Sequence, residues 1–459
     1  MILVIFLNLI AVGLAVVLPN DFLMWHSYTL YGVQIFTILP YLSRKARFSK
    51  NLFLPTFFVA IYYLVNLFLG SYLIPRDYGW NKEYTSVLLR IENYNIIVPF
   101  LLLSNLILFI LSIQSFHDLN KATFFMPSEK RLRDKSLSHY RQLIVSFLYC
   151  IIFFAVSYFD VYSAFSFQLA ILILHTSTLS RQKNKFRYLI YVFYVVILLG
   201  FSYENKREIA MALFLLVFFE AYYRRHTLRM TFKNIVRYVS IVLFFFCLVL
   251  TASILRGYGF EATSVISAVK YLPDYIVSDI VVDMLVDNFE INYSYGSSVT
   301  SIDMVIEEDI KYQYGASLLK ILFLPLPREI FPGKPKSVMQ LYTQVYRPDL
   351  WSIDGSLPVI FASEMFINFH YFGLLIYGFV FYILNKLFLT FHVAPPYCFK
   401  SYSAIFLFMT ILMFARGSGI EQWLLYYLLA VPILVMPMLF TKCMKSISNS
   451  KPIMSLVQT

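Results

Sequence analysis

"NIIVPFLLLSNLILFILSIQ", residues 95–114, runs for twenty positions without a charged side chain. As an α-helix, a stretch of that length covers ~30 Å, the thickness of a bilayer's hydrocarbon core. It is continuously apolar, whereas a strand of a membrane barrel alternates apolar and polar positions, so the helical reading holds. Similar runs lie near 1–18, 28–43, 52–74, 143–158, 161–180, 187–202, 208–223, 236–255, 366–391, 402–416 and 422–441. Of the 459 residues, 59% are hydrophobic and 14% charged, with a mean hydropathy of +0.68; soluble domains carry about 25% charged residues. The expected fold is an all-α polytopic membrane protein with about twelve transmembrane helices.

The first run lacks the basic n-region and small-residue cleavage site of a signal peptide, so it is kept as a helix. Cys150 and Cys247 fall inside spans, while Cys398 and Cys443 fall in segments assigned to the cytoplasm. No disulfide framework follows, and no CxxC or His/Cys cluster calls for a metal.

The net charge of +12 is unevenly distributed. Alternate loops, at 43–51, 115–142, 181–187, 224–237, 385–401 and 442–459, hold 24 of the 38 Lys and Arg and three of the 26 acids. Lys and Arg bias loops toward the cytoplasm, so this set is read as the inner face, with both termini cytoplasmic. The basic loops are then topology signals and contacts for anionic lipids. No nucleic-acid motif accompanies them, and no Walker A or GxGxxG offers a nucleotide site.

Four divisions follow: 1–255 with nine helices, a large outer loop 256–365, three helices over 366–441 and a cytoplasmic tail 442–459. A loop of about 110 residues far exceeds an ordinary connection. Within it, "VSDIVVDMLVDNF" (277–289) sets Asp279, Asp283 and Asp287 at helical spacing opposite an apolar face, which predicts an amphipathic helix. A second helix follows from Ser301, Gly315 breaks the chain, and Pro325, Pro327, Pro332 and Pro335 exclude continuous helix thereafter. Tyr293, Tyr295, Tyr312, Tyr314, Tyr342, Tyr346 and Trp351 suit sugar stacking and ordinary packing equally.

Cations on the outer side stand out because that side is poor in them. Lys206 and Arg207 open a span in "SYENKREIA" (202–210), Arg256 closes one in "SILRGYGF" (253–260), and Arg416 sits in "MFARGSGIEQW" (413–423). Cations within the membrane need a partner. Glu204, Glu208 and Glu421 are one set of candidates, and a phosphate-bearing ligand is the other, because arginine's planar fork binds phosphate oxygens in pairs. A hydroxyl nucleophile would also need a base, for which Glu364, His370 and Asp354 in "WSIDGS" (351–356) are the candidates. Glu364 could equally be a helix-entry charge and Asp354 a turn residue.

Five segments resemble the Wzy-type O-antigen or capsule polymerases: "NKREIA" (205–210), "LRGYG" (255–259), "LPREIFPGKPKS" (326–337), "SLPVIFASEMFINFHYFGLLIYG" (356–378) and "ARGSGIEQW" (415–423). The resemblance covers about residues 200–425. It implies a GT-C-like helical bundle in the bacterial inner membrane, with a large periplasmic loop between the ninth and tenth spans and an active site facing the periplasm. It implies a metal-independent transfer of a growing glycan from undecaprenyl diphosphate to a new lipid-linked repeat unit, with no cofactor. Donor and acceptor would both be undecaprenyl-diphosphate-linked oligosaccharides, and a chain-length-determining co-polymerase would be a further partner. Lys206, Arg207, Arg256, Arg416, Arg328 and Lys334 would contact the diphosphate. Where the family often has "NFG", this chain has "NFHYFG", which puts His370 before Gly373. An O-antigen ligase and a flippase of the same lipid-linked glycan are the competing readings.

Overall fold

A computed structural model describes residues 1–45, 54–78, 83–124 and most of 262–392, with scattered positions between 240 and 255 and between 407 and 424. The described residues are helical throughout, with no strand among them. The α-helices of six residues or more among them are α1 (Ile2–Val17), α2 (Asn20–Lys45), α3 (Pro55–Leu73), α4 (Glu83–Leu88) and α5 (Tyr94–Phe124), then α6 (Val265–Val277), α7 (Ile280–Asn288), α8 (Ser297–Ile306), α9 (Val338–Tyr346), α10 (Phe361–Phe369) and α11 (Gly373–His392). Three helical runs, Pro55–Arg76, Tyr94–Asp118 and Phe361–Thr390, are long and apolar enough to cross a membrane, and α1 is a shorter apolar helix.

Helices α1, α2, α3, α5 and α11 pack side by side around one apolar core. Polar clamps fix the register at both ends of this bundle. At one end Asn20 donates to the Glu92 carbonyl and accepts from the Asn95 amide at 2.9 Å. At the other, the Asn385 amide group donates to Thr56 at 2.7 Å and Ser115 at 2.6 Å, and Lys386 pairs with Asp118 at 2.6 Å. Thr56, Ser115, Asp118 and Lys386 thus share one end of the bundle, and Asp303 and Glu307 of the 256–365 segment meet Asn93 at the other.

The apolar run 361–390 is not a single rod. The Phe361 ring lies 5.7 Å from Tyr377 and 6.0 Å from Phe381, residues that a straight helix would carry ~24 and ~30 Å away. The chain reverses at His370–Phe372, and α10 runs antiparallel to α11. Gly373 permits the turn, since a Cβ there would stand 2.2 Å from the Met365 carbonyl oxygen. The span expected over 366–391 is thus α11 alone, twenty residues long, and the division drawn at 365 falls inside α10. The spans expected at 143–158, 161–180, 187–202, 208–223 and 422–441 lie outside the described residues.

The 256–365 segment is only partly a unit of its own. Val305, Ile310, Val338, Tyr342, Leu357, Val359 and Ile367 form a small separate core, but Val286, Ile291, Tyr295, Val299 and Ile302 belong to the core of the bundle. Tyr295 reaches it because Gly70 leaves room on α3, where a Cβ would meet the Tyr295 Cβ at 2.4 Å. The helix expected around Asp283 forms as α7, and Gly315 breaks the chain at φ +86.

Candidate functional site

Three of the four described candidates, Glu364, His370 and Arg416, converge on α10. Residues 355–360 enter the bundle as extended chain, with Val359 and Ile360 buried, and α10 then climbs back toward the hairpin at His370. Non-helical backbone at such depth persists only where protein or a cavity covers it. Here the Val359 amide donates to the Gly417 carbonyl at 3.2 Å, and the Leu357 amide donates to Thr343 Oγ1 at 2.7 Å.

Glu364, in the first turn of α10, is 2% exposed. Carboxylates are stabilised at a helix N-terminus by the aligned peptide dipoles, and burial demands polar partners. Ser317 supplies one, its hydroxyl lying 3.5 Å from Glu364 Oε1. Asn368 holds Ser317 in turn, donating to it at 2.8 Å and to the Glu364 carbonyl at 2.8 Å, while its own Oδ1 accepts from the Gly315 amide at 3.1 Å. Tyr63 of α3 stands within electrostatic reach of Glu364.

His370 shares the helix with Glu364 but not its surroundings. It is exposed at the hairpin tip, ~9 Å along the axis from Glu364. Its ring packs 4.5 Å from Phe366, 5.0 Å from Tyr371 and 5.9 Å from Tyr312. Its backbone, at φ +54 and ψ −142, lies close to a region glycine dominates. The hairpin thus places a strained histidine at its turn.

Arg416 reaches the opposite end of α10. The turn that carries it docks against α10 through the Gly417 carbonyl and through Phe414, whose ring is 4.7 Å from Phe361 and 5.6 Å from Phe381. Phe381 is eight residues into α11, so this turn sits ~12 Å inside the bundle from the hairpin end. Its Nε forms a close ion pair with Glu290, the two side chains being 15% and 19% exposed. Neither Glu421 nor any other neighbour in sequence was needed to find this partner, which lies 126 positions away. Tyr62 completes the cluster, within electrostatic reach of both charges and 3.0 Å from Ser294 Oγ.

The segment bearing Glu290 is irregular for two residues' worth of reasons. Glu290 itself has φ +56, and the next five residues but one, Asn292–Gly296, form a π-helical turn before α8 begins. Single-turn π segments occur mostly at functional sites. Ser363 of α10 donates to the Ser298 carbonyl of α8 at 3.3 Å, tying those two helices together.

Of the nine residues expected to bind or catalyse, the structure joins Glu364, His370 and Arg416 to one short helix. Lys334 is half-buried in the turn before α9, its amide donating to the Phe331 carbonyl at 3.2 Å. Lys206, Arg207, Arg256, Arg328 and Asp354 lie outside the described residues. Glu290, Tyr62, Tyr63, Ser317 and Asn368 were not foreseen, because no local pattern marks a residue whose partner is far away in sequence, 47 positions off for Ser317 and Glu364 and 232 for Tyr62 and Ser294.

The loop aromatics divide clearly. Tyr342 and Tyr295 are buried; Tyr342 stacks 5.2 Å from Tyr346, which stacks 5.4 Å from Tyr84, and its hydroxyl meets Thr300 at 2.6 Å. Tyr314 is 83% exposed. Near the same end, Asn93 donates to Asp303 at 2.9 Å and Glu307 at 2.6 Å. Burial raises the Asp303 carboxyl above its ordinary range, and the charges of Glu307, Asp309 and Glu92 add to the shift against the Asn93 hydrogen bond.

Among the described residues no group of three or more His, Cys, Asp or Glu side chains could hold a metal ion. Comparison with known proteins returns no matching family model, no curated relative and no similar solved structure.

Proposed function

We propose that this chain is a polytopic glycosyltransferase of the bacterial inner membrane, with about twelve spans in a GT-C-like bundle. It would extend undecaprenyl-diphosphate-linked oligosaccharides at the periplasmic face, without a metal and with inversion at the anomeric carbon. One observation carries the reading: the turn bearing a partly buried arginine, Arg416, packs against the same nine-residue helix that buries a carboxylate, Glu364. Transfer from a diphosphate needs fixed positive charge where the leaving group gathers negative charge, and a base for the attacking hydroxyl. Arg416 is suited to the first task and Glu364 to the second. The short segments shared with Wzy-type polymerases support the same assignment.

Purified protein supplied only with lipid-linked repeat units tests it. Longer glycans, absent from an Arg416→Ala preparation of equal membrane content, are the expected result. Unextended repeat units with the wild-type protein would refute the assignment.

A second reading is favoured by the broken α10–α11 hairpin and by an ion pair inside the bundle, since transporters of lipid-linked substrates build their sites from interrupted helices. The same assay separates the two, because a flippase moves repeat units between leaflets without lengthening them. An O-antigen ligase would instead require a lipid A core acceptor.

A further inference from the structure

The Arg416–Glu290 pair carries a consequence that depends on Arg416 being an anion-binding residue, as proposed above. A cation that must receive a phosphate-class ligand cannot stand alone in a low-dielectric interior, because an unpaired buried charge costs several kcal/mol. Something has to neutralise it while the ligand is away. In this structure that group is Glu290.

We propose that Glu290 is the exchangeable counter-ion of Arg416, a carboxylate that occupies the guanidinium until an anionic lipid diphosphate displaces it. Three features of the backbone suit Glu290 to exchange and Arg416 to stay. Glu290 is held at φ +56, a left-handed conformation that non-glycine residues adopt rarely and at a cost. The π-helical turn Asn292–Gly296 follows almost at once, and such a turn converts to α-helix by losing a single residue from its register. Glu290 thus lies between the end of α7 and a segment able to rewind. Arg416, by contrast, is anchored: Gly417 is locked to Val359, and a Cβ at Gly417 would stand 2.5 Å from the Val359 carbonyl. The pair has one movable member and one fixed member.

Tyr62 and Ser294 extend the same argument. The Tyr62 hydroxyl bridges α3 to the π-helical turn at 3.0 Å from Ser294, so rewinding of that turn would release Tyr62 beside Arg416. A phenol and a guanidinium together offer donors in more than one direction, which suits a ligand with several phosphate oxygens.

The test is binding of undecaprenyl diphosphate, and of inorganic pyrophosphate, to the full chain in lipid nanodiscs. Glu290→Gln removes the competing charge while keeping the side chain's size. It should tighten binding about fivefold or more, the lower bound of ordinary coupling between two sites, and Arg416→Ala should abolish binding. If Arg416→Ala loses binding while folded Glu290→Gln binds no better than wild type, Glu290 is a fixed structural partner and the exchange is refuted, although the anion site stands. If wild type and Arg416→Ala bind alike, the diphosphate reading of Arg416 falls as well. A charge swap, Glu290→Arg with Arg416→Glu, covers the case in which either single variant misfolds. It should restore the melting temperature through the reversed pair and still bind no ligand; ligand binding by the swapped protein would overturn the proposal.

Discussion

Val359 and Gly417 are joined backbone to backbone, amide to carbonyl at 3.2 Å, across 58 positions of sequence. The bond seats the Arg416 turn on the extended chain that feeds α10. Gly417 has φ +105, and a Cβ there would lie 2.5 Å from both the carbonyl carbon and the oxygen of Val359. Gly417→Ala should therefore destabilise the protein by about 2 kcal/mol or more through combined strain and clash. A melting curve in detergent checks this, and elongation should fall with it.

Glu364 and His370 were both candidates for the base, and the structure gives them contrasting settings. Glu364→Gln preserves shape and the Ser317 contact while removing the carboxylate's basicity, so elongation should drop by about 100-fold or more with normal insertion and thermal stability. Initial rates on lipid-linked repeat units measure it. Wild-type rates would remove Glu364 from the chemistry.

His370→Gly separates strain from catalysis. Glycine tolerates φ +54 freely, so the variant should melt no lower than wild type, gaining up to about 1 kcal/mol from relief of strain. Elongation retained in that variant would show that the imidazole takes no part in proton transfer.

At the opposite end of the bundle, Asn385 joins α11 to α3 and α5 through Thr56 and Ser115 and also accepts from the Thr56 amide at 3.2 Å. Asn385→Ala leaves buried donors and acceptors unmet, at about 2–3 kcal/mol for the set. The melting temperature should fall while ligand affinity at the distant Arg416 is unchanged.

Asp303 gives a pH dependence of definite sign. Its folded carboxyl titrates above its unfolded value because burial disfavours the charge. The folded state then binds the proton more tightly, so stability is greatest below the unfolded value and declines as pH rises through the folded one. Asp303→Asn should keep the hydrogen bond from Asn93 through its amide oxygen and flatten that decline. Melting temperatures followed as pH rises from below the ordinary carboxylate value to neutrality report it.

Hydropathy marked α3, α5 and α11 as candidate spans, because a membrane span is a local property: about twenty apolar residues suffice. It could not mark the reversal at His370. Residues 361–392 are apolar on both sides of the turn, and composition does not register a backbone that folds back on itself. Arg416 was legible as a cation in an unexpected place, but its depth was not, since that depends on Gly417 finding Val359. Glu290 was invisible for the same reason. Tyr295 and Tyr342, attractive as sugar-stacking residues in a polar loop, are core residues because the π-helical turn sinks against Gly70 of α3 and the Tyr342 hydroxyl meets Thr300 of α8.

The hairpin also bears on how the protein is made. Nine residues of α10 cover only ~13 Å, less than half a bilayer, so the insertion machinery has no reason to release that piece sideways into lipid. It gains a place only once α3, α5 and α11 stand assembled and the later Arg416 turn has emerged from the ribosome to clasp it. Docking of α10 is thus postponed until the Arg416 turn, which joins Val359 through Gly417, has been made.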